Sequence, residues 1–201
     1  MKKIICVLSF LMSFGLVAQT TYLHCGQVFD SASGKMKKEQ TIVVEDNLIT
    51  AINKGYTRVD SDSIQLIDLK AKTVYPGFID MHVHIESESN PQAYLNRYRL
   101  NEADVAYDAA VYAERSLMAG FTTVRDMGGS GVNIALRNAI AKGKIPGPRI
   151  FTAGKTLAST GGHGDPTNGN KDDFQGDPGP KQGVVNSVED ARKAVRQRYK
   201  N

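Results

Sequence analysis

Pro76-Gly77-Phe78-Ile79-Asp80-Met81-His82-Val83-His84 is the stretch from which the rest of the chain is read. Thr73, Val74 and Tyr75 lead into it with residues that favour an extended backbone. On an extended segment, residues two apart point to the same side. His82 and His84 therefore share a face with Asp80, and Ile79, Met81, Val83 and Ile85 share the opposite one. The apolar face suits packing under helices, and in a parallel barrel the polar face would look into the barrel mouth. Imidazole is the commonest metal-ligating side chain, and two held side by side can grip one cation. The plainer alternative is a strand whose histidines meet water or ordinary hydrogen-bond partners.

Around this strand the chain alternates. Asn101 to Met118 is helical in character, with Val105, Ala109, Tyr112 or Ala113, and Leu117 as its apolar stripe. Gly120 stands where that helix should stop. Phe121–Arg125 reads as a strand, Val132–Ala141 as a helix ending near Gly143, and Arg149–Ala153 as a third strand. Strand and helix in alternation are the sign of a parallel sheet with crossover helices. A Gly-, Asp- and Pro-rich span from Gly154 to Gly183 reads as a long functional loop. A last helix starts at Ser187, with Asp190 placed to complete a capping box and Val188, Ala191, Val195 and Tyr199 as its core stripe.

Upstream, Thr21 to Thr73 is made of short strands and turns. Tyr22–Phe29, Thr41–Val44, Leu48–Ile52 and Ile64–Leu69 are the strand candidates, with turns at Asp30–Gly34 and Asp46-Asn47. His24 reads as structural and Cys25 as buried. Residues 1–18 have the form of a secretory signal peptide: Lys2 and Lys3, an apolar run from Ile4 to Val17, then the small Ala18. The run is shorter than the ~20 residues of a membrane span, although a retained anchor is the alternative. Neither cysteine sits in a lipoprotein-type junction. An exported, periplasmic protein is expected, with no stable membrane insertion once the signal is removed. Without Lys2 and Lys3 the formal net charge falls from +4 to +2, and no basic stripe for nucleic acid remains. Cys6 leaves as well, so Cys25 has no disulfide partner within the chain.

Pro76 to His84 resembles the first barrel strand of the amidohydrolase superfamily, metal-dependent hydrolases built on a (β/α)8 barrel. Gly120–Gly129, Gly147–Gly154 and Thr160–Asp165 are similar to the branch that holds imidazolonepropionase-like enzymes and the Xaa-Pro and Xaa-Arg/Lys dipeptidases. The resemblance runs from about Thr21 to the last residue. It implies an α/β fold: a small, incomplete β-sandwich over residues 19–73, then the first part of a (β/α)8 TIM barrel over 74–201. About three of the eight strands fall within the chain. A whole barrel needs ~250 residues, so 201 residues are expected to be the N-terminal portion of a longer protein.

The same resemblance makes His82 and His84 ligands of a divalent metal, with zinc the expected ion and one or two ions bound. Such an ion acidifies a water and polarises the carbonyl it attacks. The family's further ligands, a lysine on the fourth strand, histidines on the fifth and sixth and an aspartate on the eighth, would follow Asn201. No catalytic acid or base is assigned within the chain. Resemblance also gives His163, flanked by glycines that permit close approach of a ligand, a substrate-binding role; a solvated loop histidine is the alternative. Asp80 is either an orienter of the histidines or a structural strand residue. Arg125 and Asp126 are most simply an internal ion pair, and Asp172, Asp173 and Asp177 a solvated acidic loop rather than a calcium site.

The expected function is metal-dependent hydrolysis of carbon–nitrogen bonds in small peptides or cyclic amides, with this portion alone inactive. The alternatives are a non-catalytic remnant or binding module, and a deaminase of the same superfamily. The substrate is the expected partner, and self-association into a homo-oligomer is compatible with the sequence.

Overall fold

The structure, a computed structural model, describes residues 19–200; the signal-peptide reading of residues 1–18 lies outside them. The chain divides after Pro76 into two compact units.

In the first unit, β1 (Thr20–Asp30), β2 (Lys35–Glu45), β3 (Leu48–Lys54) and β4 (Ile64–Val74) form one four-stranded layer in the order β3-β2-β1-β4. β1 and β2 pair as an antiparallel hairpin, β2 and β3 as another, and β4 runs parallel to β1. The second hairpin turns at Asp46-Asn47, where Asp46 takes a φ of 54°, a conformation Asp and Asn tolerate better than most residues. β2 begins six residues before the apolar run Thr41–Val44 because pairing with β1 extends it through the polar Lys35–Gln40. Cys25, Val28 and Ile42 are buried together, flanked by Leu23, Val44, Leu69 and Val74. Burial raises the Cys25 thiol pKa and keeps the group neutral. His24 is also interior: its Nε2 donates to the Thr57 carbonyl (2.9 Å) and its ring lies 5.2 Å from that of Tyr56.

The register of β1 against β4 slips between Cys25 and Gln27, where Gly26 lies so close to β4 that a Cβ would overlap the Lys70 carbonyl oxygen. Glycine inside a strand commonly marks such a close approach. Gly26→Ala is expected to destabilise this unit by roughly 2–3 kcal/mol, measured by urea denaturation. A loss below roughly 0.5 kcal/mol would show that β4 moves aside freely.

The second unit alternates strand and helix. β5 (Phe78–Val83), β6 (Phe121–Asp126) and β7 (Arg149–Thr152) form a parallel sheet in sequence order. After β5 come α1 (Ala93–Arg99) and α2 (Glu102–Met118); α3 (Val132–Ala141) connects β6 to β7, and α4 (Val188–Arg198) follows the long loop. α2 opens with a reciprocal cap between Asn101 and Asp104 and buries Ala109 and Ala113 completely. These alanines, with Ile85, Val124, Leu136 and Ile150, make the core of the unit.

Three readings change. Val83 and Ile85 pack inward as their alternation predicts, but Ile79 and Met81 on the same face are 61% and 55% exposed. The core lies under the C-terminal half of the strand only. In α4 the buried position is Ala194, whereas Val188, Val195 and Tyr199 are exposed. The inward face is selected by small residues that let the helix approach, not by its largest apolar side chains. Ser187 Oγ accepts from the Asp190 amide (3.1 Å) as expected, but the Asp190 carboxylate accepts from Asn186 N instead of closing the box.

Candidate active site

The C-terminal ends of β5, β6 and β7 lie side by side, and the three loops that follow them are bound together. Met127 N donates to Val83 O (2.9 Å), Ala153 N to Asp126 O (3.1 Å) and Gly129 N to Gly154 O (2.8 Å). At this end a parallel α/β sheet builds its sites.

His82 is in the last turn of the β5 pleat and His84 is the first residue beyond it. Both are exposed, with ring centroids 5.5 Å apart and planes inclined by 68°. The two rings do not hydrogen-bond to each other. His84 Nδ1 lies 2.8 Å from the Gly128 carbonyl oxygen, which can only accept. Nδ1 therefore carries the proton and Nε2 presents a lone pair outward. Fixing a histidine tautomer through its other nitrogen is the usual support of a metal-ligating imidazole. The donor chemistry thus suits two positions of a divalent ion. Among the described residues no third His, Cys, Asp or Glu joins the pair.

Asp80 accepts from the His82 amide through Oδ1 (2.9 Å), so it braces the strand backbone rather than an imidazole. Arg125 and Asp126 do not pair. As neighbours on a strand they point to opposite faces: Arg125 Nε donates to the Met81 carbonyl (2.7 Å), and Asp126 is 1% exposed on the inner side. Its Oδ2 accepts from Asn133 Nδ2 (2.6 Å) and Thr152 Oγ1 (2.8 Å), and its Oδ1 is reached by the amides of Ile85 and Gly128 (3.4 Å each). One carboxylate ties together β5, β6, β7 and α3.

Glu86 adds a second tie that local sequence does not reveal. Its carboxylate accepts from Ser130 N (2.6 Å) and Asn133 N (2.5 Å), capping the first turn of α3 from 44 and 47 residues away. A negative charge is favoured at that end of a helix. A Cβ on Gly129 would occupy the same space, so glycine is required there. The only hint in the sequence is a run of glycines, Gly128 and Gly129, ahead of a helix that lacks an Asp, Asn or Ser immediately at its cap, Gly131.

His163 lies in the loop after β7. That loop is more ordered than its composition suggests: Ala158 bridges to Val184, Arg97 Nη2 donates to Pro166 O (2.7 Å) and Tyr98 Oη to Asn170 Oδ1 (2.8 Å). Its local staple is Asp165, buried, with Oδ2 accepting from Gly161 N (2.9 Å) and Oδ1 from Thr167 N (2.9 Å) and Thr167 Oγ1 (2.8 Å). His163 is exposed and lines a cleft of about 440 Å³ with Arg97, Gly129, Ser130 and Lys155. His84 lines a neighbouring cleft of about 530 Å³ that shares Arg97, Gly129 and Ser130. The two histidines thus face adjoining spaces with a common wall. Asp172 and Asp173, in a 3-10 turn, and Asp177 are exposed away from them, with Lys171 paired to Asp173.

The Asp165 hydrogen bonds, the Thr167 amide first, hold its carboxyl below the ordinary carboxylate range. A depressed pKa contributes stability that is complete above the unfolded value of about 3.9 and is lost as pH falls through the folded value. Hydrogen-exchange protection factors at residues 160–168, corrected for the intrinsic pH dependence of exchange, are therefore expected to fall below about pH 4. Protection that stays level from neutral pH down to pH 2 would contradict this.

The amidohydrolase family model matches residues 73–201, which include both histidines and every loop just described. The chain belongs to the amidohydrolase family. A crystal structure of a Xaa-Pro dipeptidase with bound methionine in the active site superimposes with a TM-score of 0.81 at 44% identity, over 90% of this chain and 44% of that one. A prolidase complexed with N-methylphosphonate-L-proline gives 0.73 at 33% identity, again over 90% and 44%. The ochratoxinase of Aspergillus niger is 26% identical over 158 residues, 74% of this chain and 31% of its own length. The chain thus spans less than half the length of these amidohydrolases. Its fold is α/β, the N-terminal part of a (β/α)8 barrel preceded by a small β domain.

Proposed function

We propose that the protein carrying this chain is a metal-dependent hydrolase of amide bonds in small peptides, with His82 and His84 as two ligands of a zinc ion. The observation that carries the reading is the His84 Nδ1–Gly128 carbonyl hydrogen bond, which leaves Nε2 as an outward electron-pair donor beside His82. When bound, a divalent cation polarises a carbonyl and lowers the pKa of water. The residues of this chain contribute position. β5 sets the spacing of the imidazoles, Gly128 fixes one tautomer, and Asp126 and Glu86 hold the loops that surround them. His163, across the shared wall, contacts the substrate. The names of the dipeptidase and prolidase relatives support a dipeptide over a cyclic amide. Export to the periplasm, proposed from residues 1–18, would place the enzyme among imported peptides.

The full-length protein, loaded with zinc, should release free amino acids from dipeptides. Ammonia release from amino-purines or amino-pyrimidines without peptide cleavage would overturn the peptide assignment.

A further inference from the structure

Thr156, on the wall of the cleft that His163 lines, is met by glycines from three separate segments. A Cβ on Gly128, in the turn after β6, would overlap the Thr156 Oγ1. One on Gly164, beside His163, would overlap its Cγ2, and one on Gly183, near the far end of the loop, its carbonyl oxygen. Gly128 and Gly183 also take positive φ (134° and 103°), which favours glycine by itself, but Gly164 does not. At Gly164 the absent side chain answers to space alone, and the Thr156 methyl group fills that space.

Thr156 is held from behind. Its Oγ1 donates to Met127 O (3.3 Å). The residues on either side of it are pinned by Gly129 N to Gly154 O (2.8 Å), Ala158 N to Gly183 O (2.9 Å) and Val185 N to Ala158 O (2.7 Å). Gly164, in contrast, belongs to a stapled unit. Besides the bonds to the Asp165 carboxylate, Asp165 N donates to Gly162 O (3.0 Å), Gly162 N to Ser159 O (2.9 Å) and Asn168 Nδ2 to Gly162 O (2.6 Å). Residues 159–168 therefore move as one piece, and His163 moves with them.

We propose that Thr156 is a positioning residue that sets the stand-off of the His163 loop from the turn after β6, and so places His163 against the substrate. The turn is the fixed base, the Thr156 methyl group is the spacer, and Gly164 is the seat that rests on it. The inference rests on the hydrolase reading for what His163 touches, but not for the spacer itself. Packed interiors respond to the addition or loss of one methyl group, and a binding group displaced by a fraction of an ångström loses much of its contribution. Thr156 takes no part in bond breaking.

A size swap in the full-length protein tests this. Gly164→Ala places a methyl group on the Thr156 methyl; Thr156→Ser removes the latter and leaves the new Cβ no nearer than 3.3 Å to Ala158 Cβ and 3.4 Å to residue 156 Cβ. In the zinc-loaded protein Gly164→Ala is expected to raise KM for a dipeptide about tenfold with kcat nearly unchanged. Adding Thr156→Ser should bring KM back to within about threefold of the wild type, a coupling that independent sites would not show. Hydrogen exchange across residues 160–168 of the metal-free protein gives a readout without turnover: protection should fall in Gly164→Ala and return in the double variant. Gly162→Ala is the control, because its added Cβ meets the Ser159 carbonyl oxygen (2.9 Å) and not Thr156; Thr156→Ser should not rescue it. If Gly164→Ala alone does not fold, Thr156→Ser and Thr156→Val decide: serine, without the spacer, should raise KM about threefold or more, and valine, which keeps it, should not. An unchanged KM and unchanged protection in Gly164→Ala, no rescue by Thr156→Ser, or equal rescue of Gly162→Ala would overturn the proposal. Lost and restored protection in a protein that, loaded with zinc, cleaves no peptide would leave the spacer standing and remove the hydrolase reading; peptide cleavage without rescue would do the reverse.

Discussion

Full-length protein carrying His84→Ala is expected to purify without stoichiometric zinc and to lose peptide hydrolysis. Losing an outer hydrogen-bond partner of a ligand typically weakens metal affinity or activity by about 10–100-fold; losing the ligand itself should exceed that. Within this chain His82 would be left as a lone donor, because no other His, Cys, Asp or Glu among the described residues can take over. Metal content by atomic absorption and initial rates on a dipeptide would be measured on the same preparation. The fold should tolerate the change, since the ring is exposed and its one hydrogen bond is to a backbone carbonyl. A variant that keeps a full complement of zinc and ordinary rates would remove His84 from the ligand set.

Asp126→Ala should act on the fold itself. Its carboxylate is the acceptor for an asparagine amide, a threonine hydroxyl and two backbone amides at the junction of three strands. Asn133 is fully buried, so its Nδ2 would lose Asp126 and keep only the Gly154 carbonyl (2.9 Å). Hydrogen bonds to charged groups contribute about 1.5–3 kcal/mol each, and buried donors left unpaired carry their desolvation cost. A loss of about 3–5 kcal/mol is expected, read from the midpoint of urea denaturation. Asp126→Asn, similar in shape, should recover only part of it because its amino group would face existing donors. Arg125→Ala, next to it on the exposed face, should cost far less. Equal losses at the two positions would show that the hub is not where the stability lies.

The contrast between these neighbours also marks what the sequence makes legible. The α2 and α3 boundaries and the Ser187 cap depend on residues a few positions apart, and the structure has them where the sequence predicts them. Adjacency in the sequence suggests Arg125 as the partner of Asp126. Its real partners, Asn133 on the crossover helix α3 and Thr152 on the next strand, lie 7 and 26 residues away. Glu86 is hidden for the same reason. The α4 stripe fails differently: periodicity identifies a face, but the face turned inward depends on which residues are small enough at the contact, and Ala194 wins over Val188 and Val195. Of the candidate site, the neighbouring histidines His82 and His84 are legible in the sequence, and the carboxylates that hold the loops around them are not.

The acceptor that orients His84 is a main-chain oxygen, and that has an evolutionary consequence. A supporting aspartate or asparagine could be erased by a single codon change, whereas every amino acid at position 128 carries the same carbonyl. The one requirement is conformational: Gly128 sits at φ 134°, and a side chain there would collide with Thr156. Proton placement on the imidazole is thereby written into the shape of the turn after β6. Chemical drift in neighbouring side chains can retune what the surrounding clefts admit while the electron pair on Nε2 keeps its direction.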